Sequence, residues 1–256
     1  MSKTIISEKE NKYADWVGRV CSFLSEVGPK LGEKGTHCAS FQSKPVLDKC
    51  PDVVYLGYNP HEAWEFFKED VSPERFYEGN PDFYSGSRKG WKVWRLANAL
   101  EWADYKEPIR DGNFVFFNAI YFGSENIASF KKIAGSSDAI EKCLTFTEEV
   151  IHDIFKPKCI VCFSVQDCFN LLNNRFAFKD VRQINTAEST DEDLIDFAMS
   201  KEKGAWKCVY TCSKAVMKGI WNGIPVYGIP HPSSSVSNDD LGAIALYLRS
   251  ELQKMK

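Results

Sequence analysis

The sequence predicts an α/β fold: a three-layer α/β/α sandwich around a central, mostly parallel sheet of four strands. Short apolar runs closed by turn residues, at 52–57, 113–118, 159–163 and 226–229, read as fully buried strands. Segments with helical apolar spacing alternate with these runs, the pattern of parallel strands joined by crossover helices on both faces of a sheet. The 256 residues, 44% of them hydrophobic, suffice for one substantial core, so residues 1–256 are read as a single domain.

Taken in order, Tyr13, Val17, Val20, Cys21 and Leu24 recur at helical spacing and predict a covering helix over 8–26, stopped near Gly28-Pro29. Residues 32–50 are turn-rich and lead into the first strand. The aromatic stretch 64–91 is interrupted by Pro73, Gly79-Asn80-Pro81 and Gly86, which argues for a loop with short helical pieces. Val93, Leu96, Ala97 and Leu100 mark a helix over 89–102. After the second strand, Asp138 with Glu141 three residues on suggests a capped helix, ended by Pro157. A third strand covers 159–163, and a helix opens over 166–172. Residues 174–222, with the acidic run 188–202, read as a peripheral insertion containing a candidate strand at 208–212. The fourth main strand ends before His231, and a final helix beginning near Asn238 buries Leu241, Ile244, Ala245, Leu248 and Leu252.

Composition narrows the function. No run approaches the roughly 18 apolar residues of a membrane span, and residues 1–12 are polar without a signal-peptide core, so an intracellular, cytoplasmic protein is expected. Nine cysteines do not suggest a secreted disulfide framework. Cys159 and Cys162 form a C-x-x-C, but on a strand this odd spacing sends the thiols to opposite faces, so buried structural thiols are the better reading and neither metal nor cofactor is expected. The formal net charge of -3 argues against an extended basic groove for nucleic acid. It leaves room for phosphate binding by hydroxyls and backbone N–H groups. The basic clusters Arg88-Lys89 with Lys92 and Arg95, and Lys131-Lys132, are read as solvated surface.

Chemistry concentrates at three strand ends: Gly57-Tyr58-Asn59-Pro60-His61, Phe117-Asn118-Ala119, and His231-Pro232-Ser233-Ser234-Ser235. The carboxyl edge of an open α/β sheet is where ligands bind. Singly, each segment is unremarkable, since Asn after a strand commonly closes a turn and Ser-Ser-Ser is commonly loop. Together, two amides, an imidazole and hydroxyls form a polar set at the end of buried strands.

In that order the segments resemble the motifs of the uracil-DNA glycosylase superfamily. Gly57-Tyr58-Asn59-Pro60-His61 is similar to its first motif, His231-Pro232-Ser233-Ser234-Ser235 to its His-Pro-Ser motif, and Phe117-Asn118-Ala119 to the segment whose Asn reads the base. Gly90-Trp91-Lys92-Val93-Trp94-Arg95-Leu96 is similar to the helix that follows the first motif in the mismatch-specific branch. The resemblance spans about residues 50 to 250 and implies hydrolysis of an N-glycosidic bond after the nucleotide is flipped from the DNA stack. It implies that Asn59 holds the attacking water and that His231 donates to the base oxygen where charge develops. Gly57, Tyr58, Pro60, His61 and Asn118 would form the base pocket, Asn118 matching the uracil edge with donor and acceptor on one amide. An aromatic of 64–91 would stack on the base. Ser233, Ser234 and Ser235 would bind phosphates, and Ser235 or Val236 would enter the vacated stack.

The chain also departs from these branches. Asn59 stands where the vigorous uracil-specific branch has Asp, and an amide cannot act as a base. His61 stands where that branch places the tyrosine that excludes the thymine methyl. Asn59 with the serines resembles the mismatch branch, whereas His231 is closer to the single-strand-selective one. The expectation is a monomeric glycosylase acting on uracil, a deaminated purine or a modified pyrimidine in DNA. The alternative is a catalytically weak relative that binds nucleobase or DNA in defence or regulation. An unrelated nucleotide-binding protein is disfavoured because there is no Gly-rich phosphate loop.

Overall fold

The structure is a computed structural model that describes residues 7–31, 41–58, 71–80, 83, 93–105, 112–124, 127–133, 135–201, 214–232 and 236–255. In chain order the elements are α1 (Glu8–Val27), β1 (Val53–Gly57), α2 (Pro73–Glu78), α3 (Val93–Trp102), β2 (Phe114–Asn118), α4 (Ile127–Phe130) and α5 (Ser136–Glu149). There follow β3 (Cys159–Phe163), α6 (Asn170–Phe176), β4 (Lys179–Gln183), α7 (Thr186–Ser189), α8 (Glu192–Lys201), β5 (Met217–Trp221), β6 (Ile224–Ile229) and α9 (Asn238–Gln253).

The fold is α/β, with the strands in a single mixed sheet of order β2-β1-β3-β6-β5-β4. The sheet thus has six strands where four were expected, and it is mixed. β1 with β2 and β3 with β6 pair in parallel, but β4–β5 and β5–β6 are antiparallel. Residues 174–222, expected as a peripheral insertion, include β4 and β5. The antiparallel β5–β6 hairpin turns at Asn222-Gly223, whose φ angles of 47° and 86° are those of a two-residue turn matching strand twist. β4 is exposed at all five positions, so it offers no apolar run to read. Its Lys179, Asp180 and Arg182, with an irregular register against β5, are features that keep an edge strand from recruiting another chain.

Two compact units make up the chain. The first joins Met1–Phe83 to Phe114–Pro157; the second joins Tyr84–Asn113 to Lys158–Lys256.

In the first unit, α1 forms where the spacing predicts. Ser7 caps it, accepting from the Glu10 N–H at 3.1 Å while the Glu10 carboxylate receives the Ser7 N–H. Its buried face, through Tyr13 and Trp16, meets an aromatic cluster of Phe41, Phe76, Phe146 and Phe155. Buried polar tips are satisfied there, Tyr13 Oη donating to the Phe76 carbonyl at 2.6 Å and Trp16 Nε1 to that of Phe146 at 3.0 Å. Beyond α1, Gln42 and Ser43 bond to Phe116 of β2: both N–H groups donate to its carbonyl, and Ser43 Oγ accepts its N–H at 2.8 Å. The helix over 136–149 begins at Ser136 after Gly135 (φ 79°), and no side chain caps it, so the cap expected at Asp138 does not form. It runs on into a widened turn over Val150–Phe155, closed by Lys156 N–H donating to the Ile151 carbonyl.

In the second unit, α9 starts on a second capping box, Ser237 Oγ accepting from the Asp240 N–H at 3.0 Å. It buries Leu241, Ile244, Ala245, Leu248 and Leu252 as expected, and packs on α3. β3 and β6 are closely covered, and a Cβ placed on Gly228 would lie 2.7 to 2.9 Å from three Phe169 side-chain atoms. On the same unit Glu251, 7% exposed, accepts from Tyr227 Oη and Lys254 Nζ, both at 2.9 Å, and pairs with Lys218. The strand expected at 208–212 lies outside the described residues.

Candidate functional site

In the first unit the candidate residues stand at the end of β1 and β2. All five β1 residues are buried, and the parallel register sets Gly57 opposite Asn118. The ladder continues past both strands: Ala119 N–H donates to the Gly57 carbonyl at 2.9 Å, and Ile120 N–H to that of Tyr58 at 2.8 Å. From α5, Thr147 Oγ1 donates to the Ala119 carbonyl at 2.9 Å and lies 3.1 Å from the Tyr121 hydroxyl. Asn118 therefore projects from a backbone fixed on both sides. A Cβ built on Gly57 would lie 2.1 Å from Asn118 Oδ1, so the amide lies directly over the glycine. Only a residue without a side chain permits that approach.

Tyr58, at the very turn, is 5% exposed, and the exposed Lys131 carries its ammonium 5.8 Å from the ring centroid. One of the basic residues read as solvated surface is thus attached to this corner by a cation–π contact. Asn59, Pro60 and His61 lie outside the described residues. So does most of the aromatic stretch expected to stack on a base. Of its three described members, Phe76 packs on Trp16 and Phe41 and Phe83 on Phe114 and Phe116, which makes both core residues, whereas Tyr77, 37% exposed, stands edge-on to Tyr13.

In the second unit the candidate residues stand at the end of β3 and β6. Phe163 pairs with Ile229, and the next residue, Ser164, donates its N–H to the Ile229 carbonyl at 2.9 Å. Ser164 has φ 82°, a sparsely populated conformation for a non-glycine residue. Its hydroxyl holds that turn, donating to Asp167 Oδ2 at 2.8 Å and accepting the Asp167 N–H at 3.1 Å. His231 follows β6, with its ring edge-on to Phe163 at 6.2 Å. The residue is solvent-accessible, yet enough protein surrounds the imidazole to disfavour its charged form. That desolvation lowers its pKa from the ordinary 6.5, with Asp167 opposing part of the shift. The ring is accordingly neutral at pH 7, an N–H donor without a charge.

Ser233, Ser234 and Ser235 lie outside the described residues. Val236, one of two candidates for the residue entering a vacated stack, is 4% exposed. Sequence reading missed Arg95, whose guanidinium reaches the carbonyls of Pro232 at 2.8 Å and Val236 at 2.7 Å and Asn238 Oδ1 at 3.1 Å. It missed Ser164 and Asp167 as well. A serine followed by an acid three residues later, between a buried run and a helix, was the available signal.

The thiols follow packing. Cys159 and Cys162 are both buried free thiols, and the Cys162 thiol shares a hydrogen bond with that of buried Cys168, whose pKa desolvation pushes well up. Among the described residues no group of three or more His, Cys, Asp or Glu is arranged to hold a metal ion, and no helix is long and apolar enough to cross a membrane. Comparison with protein-family models and with curated proteins finds no match to this chain.

Proposed function

We propose that this protein is a monofunctional DNA glycosylase of the uracil-DNA glycosylase superfamily, releasing uracil or another deaminated or modified base from DNA. The observation that carries the reading is the Gly57–Asn118 corner. An amide with a donor and an acceptor on one plane stands at the carboxyl end of paired parallel strands, over a glycine that makes room for it. The solvent-accessible, neutral imidazole of His231 at a second strand end adds to it. The same reading carries the three-layer arrangement and an intracellular, DNA-associated protein acting as a monomer.

The chemistry asks little of acid–base groups. Water adds at C1′, the C1′–N bond breaks, and the electron pair leaves with the base. Asn59 accepts a hydrogen bond from the water and orients it, while its lack of basicity means the proton is lost to solvent late, after the sugar cation has formed. His231 donates to the base oxygen as negative charge grows there. A neutral donor stabilises that charge without the desolvation cost of an imidazolium. Asn118 reads the base edge, and hydroxyls of Ser233, Ser234 and Ser235 hold phosphates without adding net positive charge.

The test is incubation with labelled oligonucleotides bearing uracil opposite G, opposite A or in single strands, hypoxanthine, xanthine or modified cytosines, followed by alkaline cleavage. Abasic sites on one substrate, reduced about a hundredfold or more in Asn59→Ala and His231→Ala, support the glycosylase. Intact strands throughout reject it. The amide at position 59 favours one second reading, a catalytically weak relative that binds a nucleobase or DNA. Tight binding of base-modified oligonucleotides without cleavage would select it.

A further inference from the structure

We propose that Arg95 is a positioning residue for the His231 turn, fastening both ends of the segment that follows the imidazole to one rigid guanidinium. The turn leaves β6 at Ile229 and enters α9 at Asn238. Between them, Arg95 takes the Pro232 carbonyl on one terminal nitrogen and the Val236 carbonyl with Asn238 Oδ1 on the other. The two carbonyls are four positions apart in sequence, and a single planar group holds Pro232 and Val236 to one another. The bonds are charge-assisted and meet carbonyls that no strand or helix ladder uses.

The anchor is itself held. Arg95 belongs to α3, which packs on α9; the bond from Arg249 of α9 to the Ala103 carbonyl just past α3 is separate from the turn and takes no part in the clasp. The far end of the turn is fixed again by the Ser237–Asp240 capping box, where Ser237 Oγ donates to Asp240 Oδ2 at 2.9 Å. His231 lies one residue before Pro232, so its ring is presented from a backbone whose course Arg95 sets. Asp167 and the ring of Phe163 face the imidazole from the β3 side. A lysine cannot replace the fork, because it offers one point charge where two separated acceptors must be met.

The consequence for turnover rests on the glycosylase reading, whereas the clasp itself does not. The experiment therefore has two arms on the full-length chain. The imidazole proton resonance of His231, assigned by its loss in His231→Gln, is titrated in the wild type, Arg95→Lys, Arg95→Met and Arg249→Lys, with thermal melts confirming folding. Arg95→Lys keeps the charge and loses the fork, so a shifted resonance and a His231 pKa moving toward 6.5 in this variant isolate geometry from charge. Arg249→Lys makes the same chemical change on the same helix pair away from the turn, and leaves His231 as it was. Where Arg95→Met does not fold, Arg95→Lys alone decides. An unchanged His231 titration in folded Arg95→Lys overturns the proposal, and so does an equal change in Arg249→Lys.

In the second arm, single-turnover base release slows about tenfold in Arg95→Lys with little change in half-saturation, and the substitution adds nothing in a His231→Ala background. A further tenfold loss in that background overturns action through His231. If the wild type releases no base, the glycosylase reading fails while the resonance arm still decides the clasp.

Discussion

Replacing Gly57 by alanine tests the geometry of the base-reading corner. The new Cβ would stand 2.1 Å from Asn118 Oδ1 and 3.3 Å from its Cγ. Real Cβ contacts essentially never fall below 3.0 Å, so the oxygen must retreat by about 0.9 Å, the difference of 3.0 and 2.1 Å. Since the β1–β2 ladder and Thr147 hold the backbone, the movement falls on the side chain. The terminal torsion of an asparagine is soft, and a turn of roughly 50° moves its oxygen that far, so the cost in stability should stay near 1 to 2 kcal/mol. The cost in recognition is larger. Functional groups must be held within about 0.5 Å, and a displacement of about 1 Å commonly costs about a hundredfold in rate. The assay is single-turnover base release beside a thermal melt. Expected is a loss of about a hundredfold in rate with a Tm lowered by only a few degrees, and no further melting penalty from Gly57→Ala in an Asn118→Ala background. Full activity and an unchanged Tm in the single variant would refute the placement of the amide over Gly57.

Three further outcomes follow from the structure. Because the His231 pKa is depressed, its neutral form persists from alkaline pH down past 6.5. Base release should therefore stay level through neutrality and fall only in the acid range as the folded-state pKa is crossed; a decline centred at or above 6.5 would contradict it. Gly228→Ala drives a methyl into the Phe169 side chain and should cost about 1 to 3 kcal/mol in chemical denaturation, recovered in part by Phe169→Leu; a neutral effect would contradict the packing. Burial raises the Glu251 pKa, but bonds from Lys218, Lys254 and Tyr227 outweigh it and leave it lowered. The network thus stabilises above the unfolded carboxylate range and is lost as pH falls through the folded value. Lys218→Met should cost about 1 to 3 kcal/mol at pH 7 and less at pH 3; equal losses at both would contradict the pairing.

What the sequence made legible tracks apolar periodicity. β1, β2, β3 and β6 are buried through most of their length, and α1 and α9 carry clear buried faces, so each lies within a few residues of its expected span. β4 was illegible because all five residues are exposed, so no apolar run marks it. The β5–β6 hairpin did leave a signal in Asn222-Gly223, between Ile220-Trp221 and Ile224, but the acidic run before it made the region look peripheral. The helix at 136–149 begins without the Asp138 cap because Gly135 takes the left-handed conformation just before it. At the site, types and order of residues pointed to Gly57, Asn118 and His231, but a sequence does not record distances. The amide over Gly57, the Ser164–Asp167 turn and the Arg95 clasp join residues through tertiary packing. Arg95 in particular looked like one member of a basic surface cluster, while its three acceptors lie 137 to 143 positions away.

The central claim is hydrolysis at C1′, and the most direct measurement follows the oxygen of the attacking water. An oligonucleotide carrying the preferred base would be incubated with the protein in 18O-enriched water, trapped promptly by reduction of the abasic aldehyde, and analysed by mass spectrometry beside the free base. The account predicts one heavy oxygen at C1′ of the trapped sugar, unlabelled free base in equal amount, and loss of both products in Asn59→Ala and His231→Ala. Label in the released base with none in the sugar, or products formed equally well by both variants, would contradict it.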